Sequence, residues 1–321
     1  MLQSIQASRA LAALMVVLFH LGLVIEKYFG ASPVSVPWGR AGVDFFFVLS
    51  GFIIATAHWE DIAKPERLGR FIWKRLVRIY PIYWIVFLTA LAGAYRLLNL
   101  SFNEVVQALL LTSTGGIPVL VVAWTLQWEI VFYAIFGALI VHPALALVFL
   151  GMVLLSLPAS TTFIPLFLAG VMCAWADRRQ IGLPWPTISL IGVFVFAGAC
   201  VFETVNGTQP TILYGVGAAM LILGLVRGER VGKTIGAQPL LQILGNASYC
   251  IYLIHYPFIS VACKTAIAIG LGGKRWSLVV YFLSLIFVLL TGVLLHLFLE
   301  KPMLLWLNSK IKKNVLASNE V

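Results

Sequence analysis

Two ionisable residues interrupt the first long apolar run of the chain, "SRALAALMVVLFHLG" at residues 8–22. Arg9 and His20 are eleven residues apart. At ~100° per residue this is three helical turns and a small remainder, so both fall on one helix face, ~16 Å apart along the axis. A buried imidazole stays neutral and can take a proton, and a guanidinium can grip phosphate through two parallel hydrogen bonds. Two carboxylates belong to the same picture. "GRAGVDFFFVLSGFIIA" carries Asp44 and "AWTLQWEIVFY" carries Glu129, each about two turns into its own apolar run. Runs entering from the side nearer His20 would gather His20, Asp44 and Glu129 in one half of the layer. A carboxylate there would orient the ring and stabilise the cation it forms, a general-base arrangement. Asp44 and Glu129 fit this role equally well. Either could instead be a polar contact that fastens helices together.

A second group lies toward the other end, in "RFIWKRLVRIYPIY". Arg75 and Arg78 are spaced i, i+3 and share a face, level with Arg9. They suit a phosphate-bearing ligand, although anchoring at a membrane boundary also uses arginine. Tyr83, beyond Pro81, is a further candidate for that site; an interfacial aromatic beside a kink is the plainer reading. Asn246, Ser248 and Tyr249 open a later run, and His255 stands within "YLIHYPF". His296 and Glu300 have an i, i+4 spacing that zinc uses, but no further ligands accompany them and no metal is expected. His58 and His142 read as loop or interface residues, and Lys264 has no evident role.

The elements that carry these residues follow from composition. The chain has 321 residues, 61% hydrophobic and 11% charged, with mean hydropathy +0.99. So much apolar surface needs a bilayer as solvent, and the runs are too long and unbroken for barrel strands. The fold class is all-α, a polytopic transmembrane helix bundle. Spans are expected near 5–25, 38–58, 73–95, 122–141, 143–158, 161–177, 187–205, 209–226, 245–270 and 277–300, ten in all. The stretch 101–118, broken by "TSTGGIP", reads as a half-helix or re-entrant piece. The first run shows neither a basic leader nor a convincing cleavage site, so it is expected to be a retained helix. Cys173, Cys200, Cys250 and Cys263 show no metal or redox spacing and read as small buried hydrophobes.

Net charge is +10, and its placement sets the orientation. With the N-terminus inside, Lys64, Arg67, Arg70, Lys74, Arg75, Arg78, Arg178, Arg179, Arg227, Arg230, Lys233, Lys301, Lys310, Lys312 and Lys313 all fall on the cytoplasmic side. The outer side keeps only Lys27, Arg40, Arg96, Lys274 and Arg275. Both termini are therefore expected in the cytoplasm. Residues 1–305 read as one membrane domain and 306–321 as a basic cytoplasmic tail, with no internal repeat.

Taken together these stretches resemble the membrane acyltransferase-3 family. The elements are Arg9 with His20; "GVDFFFVLSGF" at 42–52; Arg75 with Arg78 and "IYPIY"; "WTLQWEIVFY" at 124–133; "ASYCIYLIHYP" at 247–257; and "EKP" at 300–302. Each is weak alone, but they occur in order across almost the whole chain. The flavour is that of short exopolysaccharide acetyltransferases of the succinoglycan type. The resemblance implies transfer of an acetyl group from cytoplasmic acetyl-CoA to an extracytoplasmic polysaccharide or lipid-linked glycan, in the bacterial inner membrane. Many members add an SGNH hydrolase domain; none is present in these residues, so transfer is expected to be completed within the membrane domain.

On that reading Arg9, Arg75, Arg78 and Tyr83 hold the CoA end. His20 is the base, oriented by Glu129 or Asp44. Ser50, Trp124, Tyr133, Asn246 and His255 line the tunnel or touch substrate. A variant in which His20 is itself acylated uses the same residues. The rival class is a proton-coupled transporter with a His/Asp/Glu relay, but neither an inverted repeat nor paired broken helices support it. A non-catalytic scaffold would leave the shared face of Arg9 and His20 unexplained.

Overall fold

The structure is a computed structural model and describes residues 2–94, 100–112, 119–157 and 160–318. The described residues form helices joined by turns and short 3₁₀ segments. The helices are α1 (Gln3–Phe29), α2 (Ala41–His58), α3 (Leu68–Ala94), α4 (Phe102–Leu110), α5 (Trp124–Val141), α6 (Pro143–Ser156) and α7 (Ser160–Arg179). They continue with α8 (Trp185–Asn206), α9 (Thr211–Arg230), α10 (Pro239–Asn246), α11 (Ser248–Ala268), α12 (Ser277–Leu295) and α13 (Lys301–Ser318). The all-α bundle expected from composition is borne out.

Eight stretches among the described residues are long and apolar enough to cross a bilayer, against the ten expected. The two outside this set are α6 and α7. With 14 residues, α6 is ~21 Å long, short of a ~30 Å hydrocarbon core. Arg96 and residues 113–118 of the "TSTGGIP" break lie outside the described residues.

Close helix packing in a membrane relies on small residues, because lipid supplies no hydrophobic drive between helices. The contact of α2 with α7 is of this kind. A Cβ on Gly51 would collide with the Phe167 carbonyl, and one on Gly170 with the Val48 carbonyl. Helix α1 lies at the centre, against α2, α9, α10, α11 and α12.

Basic residues collect at one end of the bundle, where Asp177 pairs with Arg230 at 2.7 Å and Glu60 pairs with Arg178. That end is called the basic end below, and its opposite the far end. The far end has its own ion pair, half-buried Arg40 with buried Glu203 at 2.5 Å, and Tyr214 donates to the same carboxylate at 2.7 Å.

Helix α4 is the element that departs most from simple spanning. Ser101 and Glu104 form a capping box at its start. Its last carbonyls have no partner within the helix. Aromatic residues of α3 supply the donors: Tyr80 to Leu110, Tyr83 to Ala108 and Trp84 to Leu109, at 3.0, 2.6 and 2.9 Å. Tyr83 is fifteen residues into α3, ~22 Å from its start. The tip of α4 therefore sits beside the middle of α3. The chain next resumes with Leu120, Val122 and Ala123, all buried, so α5 starts inside the bundle rather than at its surface.

Candidate functional site

A cavity of about 1180 Å³ opens at the basic end between α1, α2, α3, α5 and α11. Six cationic side chains line it: Arg9, Arg67, Arg70, Lys74, Arg75 and Arg78. Arg67 and Arg70 are exposed at the rim, whereas Lys74, Arg75, Arg78 and Arg9 are half-buried farther in. The carboxylates on its wall are Glu66 and Glu129. Asn246, Ser248 and Tyr249 complete the side formed by the start of α11, and Asn246 accepts from Gln6 at 2.7 Å.

The arginines are held by separate devices. Arg78 pairs with Glu300, which is fully buried. That carboxylate also receives His296 Nδ1 at 2.6 Å and the Cys250 thiol at 3.1 Å. Residues His296–Glu300 form a π-helical turn, and this turn aims Glu300 inward. Cys250, His296 and Glu300 bring their ligand atoms within 4.8 Å of one another, a geometry in which a metal could be held. Arg78 already lies against Glu300, however, and a guanidinium in that position opposes a cation. Arg75 lies 5.8 Å over the rings of both Phe71 and Tyr133, and its guanidinium is 3.4 Å from His58 Nε2. His58, expected as a loop or interface residue, is the last residue of α2; it is buried, contacts Asp61 at 2.7 Å and props Arg75.

Deeper in, Glu129 accepts from Ser50 at 3.2 Å and from Tyr133 at 2.5 Å. Arg9 lies within electrostatic reach of Glu129, Arg78 and Glu300. Val43, Phe46, Thr125 and Tyr252 bound the cavity at its deep end. The Tyr252 hydroxyl meets Thr125 Oγ1 at 2.8 Å and donates to the Val122 carbonyl at 3.1 Å. This roof was not anticipated; a tyrosine inside an apolar run gave no signal of its own.

Beyond the roof lies a second polar group. His20 and His255 meet with Nδ1 to Nε2 at 3.2 Å and ring centroids 4.9 Å apart. His20 Nδ1 is also 3.0 Å from the Val16 carbonyl, and His255 Nδ1 is 2.5 Å from the Tyr252 carbonyl. Phe19 and Tyr256 stand edge-on to His20. His255 is fully buried, whereas His20 keeps partial exposure.

The chain matches the acyltransferase domain family over residues 2–298. It belongs to that family. The resemblance read from the motifs is thereby borne out, and the molecule is a multi-pass membrane acyltransferase. It is 32% identical to the exopolysaccharide production protein ExoZ of Rhizobium meliloti (strain 1021) over 301 residues, 83% of this chain and 90% of that protein. Protein 2 in the picA locus of Rhizobium radiobacter is 38% identical over 91 residues, 27% of this chain and 41% of that protein. No solved structure matches the chain.

In this acyltransferase Arg9, Arg75, Arg78, Glu129, Ser50, Tyr133 and Asn246 share one cavity. Four expected placements differ. Neither Asp44 nor Glu129 hydrogen-bonds His20. Asp44 is buried and accepts from Gln209 at 2.7 Å. It follows Val43 by one residue, and that ~100° step turns it from the cavity wall toward the α8–α9 connection. Glu129 is about one and a half turns into α5, but α5 begins at the roof, so that stretch descends into the cavity. Tyr83 does not line the cavity; five residues past Arg78, a turn of ~140°, it faces α4. Trp124 packs with Phe47 and Phe163, at ring centroids 6.4 and 5.2 Å, and stays out of the wall.

The boundary expected at 305/306 falls inside α13, and Leu304 and Asn308 on that helix reach the cavity mouth. Cys173, Cys250 and Cys263 are buried, and Cys200 is half-buried. His142 caps α6 by accepting from Ala144 N at 3.2 Å, in keeping with its reading as a loop residue.

Proposed function

We propose that the protein is an O-acetyltransferase that moves the acetyl group of cytoplasmic acetyl-CoA to a hydroxyl of an exopolysaccharide or a lipid-linked precursor on the far side of the inner membrane. The observation that carries this reading is the vertical order of polar groups along α1. A cation-lined cavity surrounds Arg9, and an imidazole stands on the same helix face ~16 Å deeper, beyond the roof. The basic end would face the cytoplasm, in accord with its Lys and Arg content.

Arg67 and Arg70 at the rim and Lys74, Arg75 and Arg9 within would hold the donor's phosphates. The pantetheine arm would run past Ser50, Glu129 and Tyr133 toward Tyr252, whose bonds to Thr125 and Val122 must yield to admit the thioester. His20 would then take the proton of the acceptor hydroxyl as its oxygen attacks the thioester carbonyl. Collapse of the tetrahedral intermediate breaks the C–S bond, and the thiolate leaves with the proton returned from His20. The products are the acetyl ester and free thiol.

ExoZ, named for exopolysaccharide production, supports the choice of acceptor class. The test is mass spectrometry of surface glycans from cells whose only copy carries His20→Ala. Loss of O-acetyl groups is expected, and unchanged acetylation would overturn the role of His20. CoA binding to the purified protein should fall in Arg67→Ala with Arg75→Ala, and binding unaffected by both changes would overturn the donor site.

A further inference from the structure

The sequence places His255 among the residues that line the tunnel or touch substrate. We infer that it is a positioning residue that fixes the tautomer of His20 and leaves His20 Nε2 as the atom that takes the proton. This rests on His20 being the base proposed above.

The argument runs through hydrogen-bond polarity. A carbonyl oxygen only accepts, so a ring nitrogen close to one must carry hydrogen. His255 Nδ1 is 2.5 Å from the Tyr252 carbonyl and is therefore protonated. His255 is fully buried, and among the described residues its hydrogen-bond partners are backbone carbonyls and His20, with no carboxylate. A second proton would leave an uncompensated buried charge, so the ring is neutral and its Nε2 is a bare acceptor. That Nε2 lies 3.2 Å from His20 Nδ1. His20 Nδ1 also faces the Val16 carbonyl at 3.0 Å, so both neighbours of this nitrogen can only accept. His20 Nδ1 therefore carries the hydrogen and shares it between them, and His20 Nε2 keeps its lone pair.

A carboxylate usually orients a catalytic histidine. Here a neutral imidazole and a backbone carbonyl do so, which avoids burying a charge beside the reacting atoms. When Nε2 takes the hydroxyl proton, the Nδ1–H bond to His255 becomes charge-assisted and strengthens. The interaction is thus stronger in the protonated state than in the resting one, as a catalytic contact must be.

The tautomer can be read directly in purified protein with 15N-labelled histidine, reconstituted in lipid. The chain has five histidines, and the His20 signals are those absent from His20→Ala. Wild type should show His20 protonated on Nδ1 and bare on Nε2. His255→Phe leaves the Val16 carbonyl, already engaged in the helix ladder, as the one acceptor near His20 Nδ1, so it should weaken the Nδ1–H preference toward a mixture of tautomers and lower kcat about 10- to 100-fold, with KM for acetyl-CoA unchanged. His255→Gln places an amide oxygen near the lost Nε2 and should restore the Nδ1 tautomer and most of kcat. A wild-type His20 protonated on Nε2 overturns the inference, as does full kcat in His255→Phe. Full turnover in His20→Ala would overturn the base itself, while the nitrogen spectra would still test the His255–His20 bond.

Discussion

The two polar regions of the bundle solve opposite problems. The cavity at the basic end holds formal charges, six cationic side chains with Glu66, Glu129 and the buried Glu300 behind them. It opens to solvent and gives its arginines carboxylate or aromatic partners, as with Arg78 on Glu300 and Arg75 over Phe71 and Tyr133. Among the described residues the His20–His255 pair beyond the roof has no carboxylate partner, and hydrogen-bond polarity holds it. On the proposed reading the cavity clamps phosphate, which needs charge and tolerates water. On the same reading His20 is a base that must be neutral when it acts, and a neutral imidazole partner raises its proton affinity less than a carboxylate would. Separating the two by a tyrosine roof lets one helix face carry both.

Changes to single residues should separate the regions. The largest effect is expected for His20→Ala, a loss of about 10²- to 10⁴-fold in acyl transfer with CoA binding retained, measured by turnover and by calorimetry. Reduced CoA binding in this variant would merge the two regions and break the comparison. Arg78→Ala should destabilise the fold by about 3 kcal/mol, because it leaves Glu300 buried with its strongest donor removed; thermal unfolding in detergent measures this. Adding Glu300→Gln should recover part of the loss, and an equally unstable double variant would show that the pair does not act as a unit. Arg75→Ala should raise KM for acetyl-CoA about 10-fold and leave kcat nearly unchanged, the value of a charge-assisted hydrogen bond. Tyr252→Phe removes the roof's hydrogen bonds to Thr125 and Val122 and should cost about 1 kcal/mol of stability. The smallest effect on chemistry is expected for Asp44→Asn, with kcat within about twofold of wild type, since Asp44 bonds Gln209 and not His20. A large loss there would place Asp44 back beside the base.

Much of the site could be read before the fold. The eleven-residue interval of Arg9 and His20 and the i, i+3 interval of Arg75 and Arg78 are facts of one helix each, and helix geometry carries them intact into the structure. Errors arose where two helices had to be placed against each other. Glu129 was put at the depth of His20 on the assumption that α5 starts at the surface. The dipping α4 segment moves that start inward to Val122 and Tyr252. Asp44 was placed at a useful depth but on the wrong side of α2, because depth follows from counting residues while direction depends on which neighbours cover each face. His58 reads as a loop or interface residue at the end of an apolar run, and only the packing shows that Asp61 and Arg75 close around it.

Composition, hydropathy and the order of short motifs were sufficient to establish an all-α membrane bundle and its acyltransferase family. Both are properties summed along the chain, so no partner helix is needed to see them. Tertiary structure alone assigned Glu129 to the cavity, Asp44 to Gln209 and His255 to His20. Hydrogen bonds act over about 3 Å, and residues 235 positions apart, as His20 and His255 are, come within that range only when α1 and α11 pack side by side.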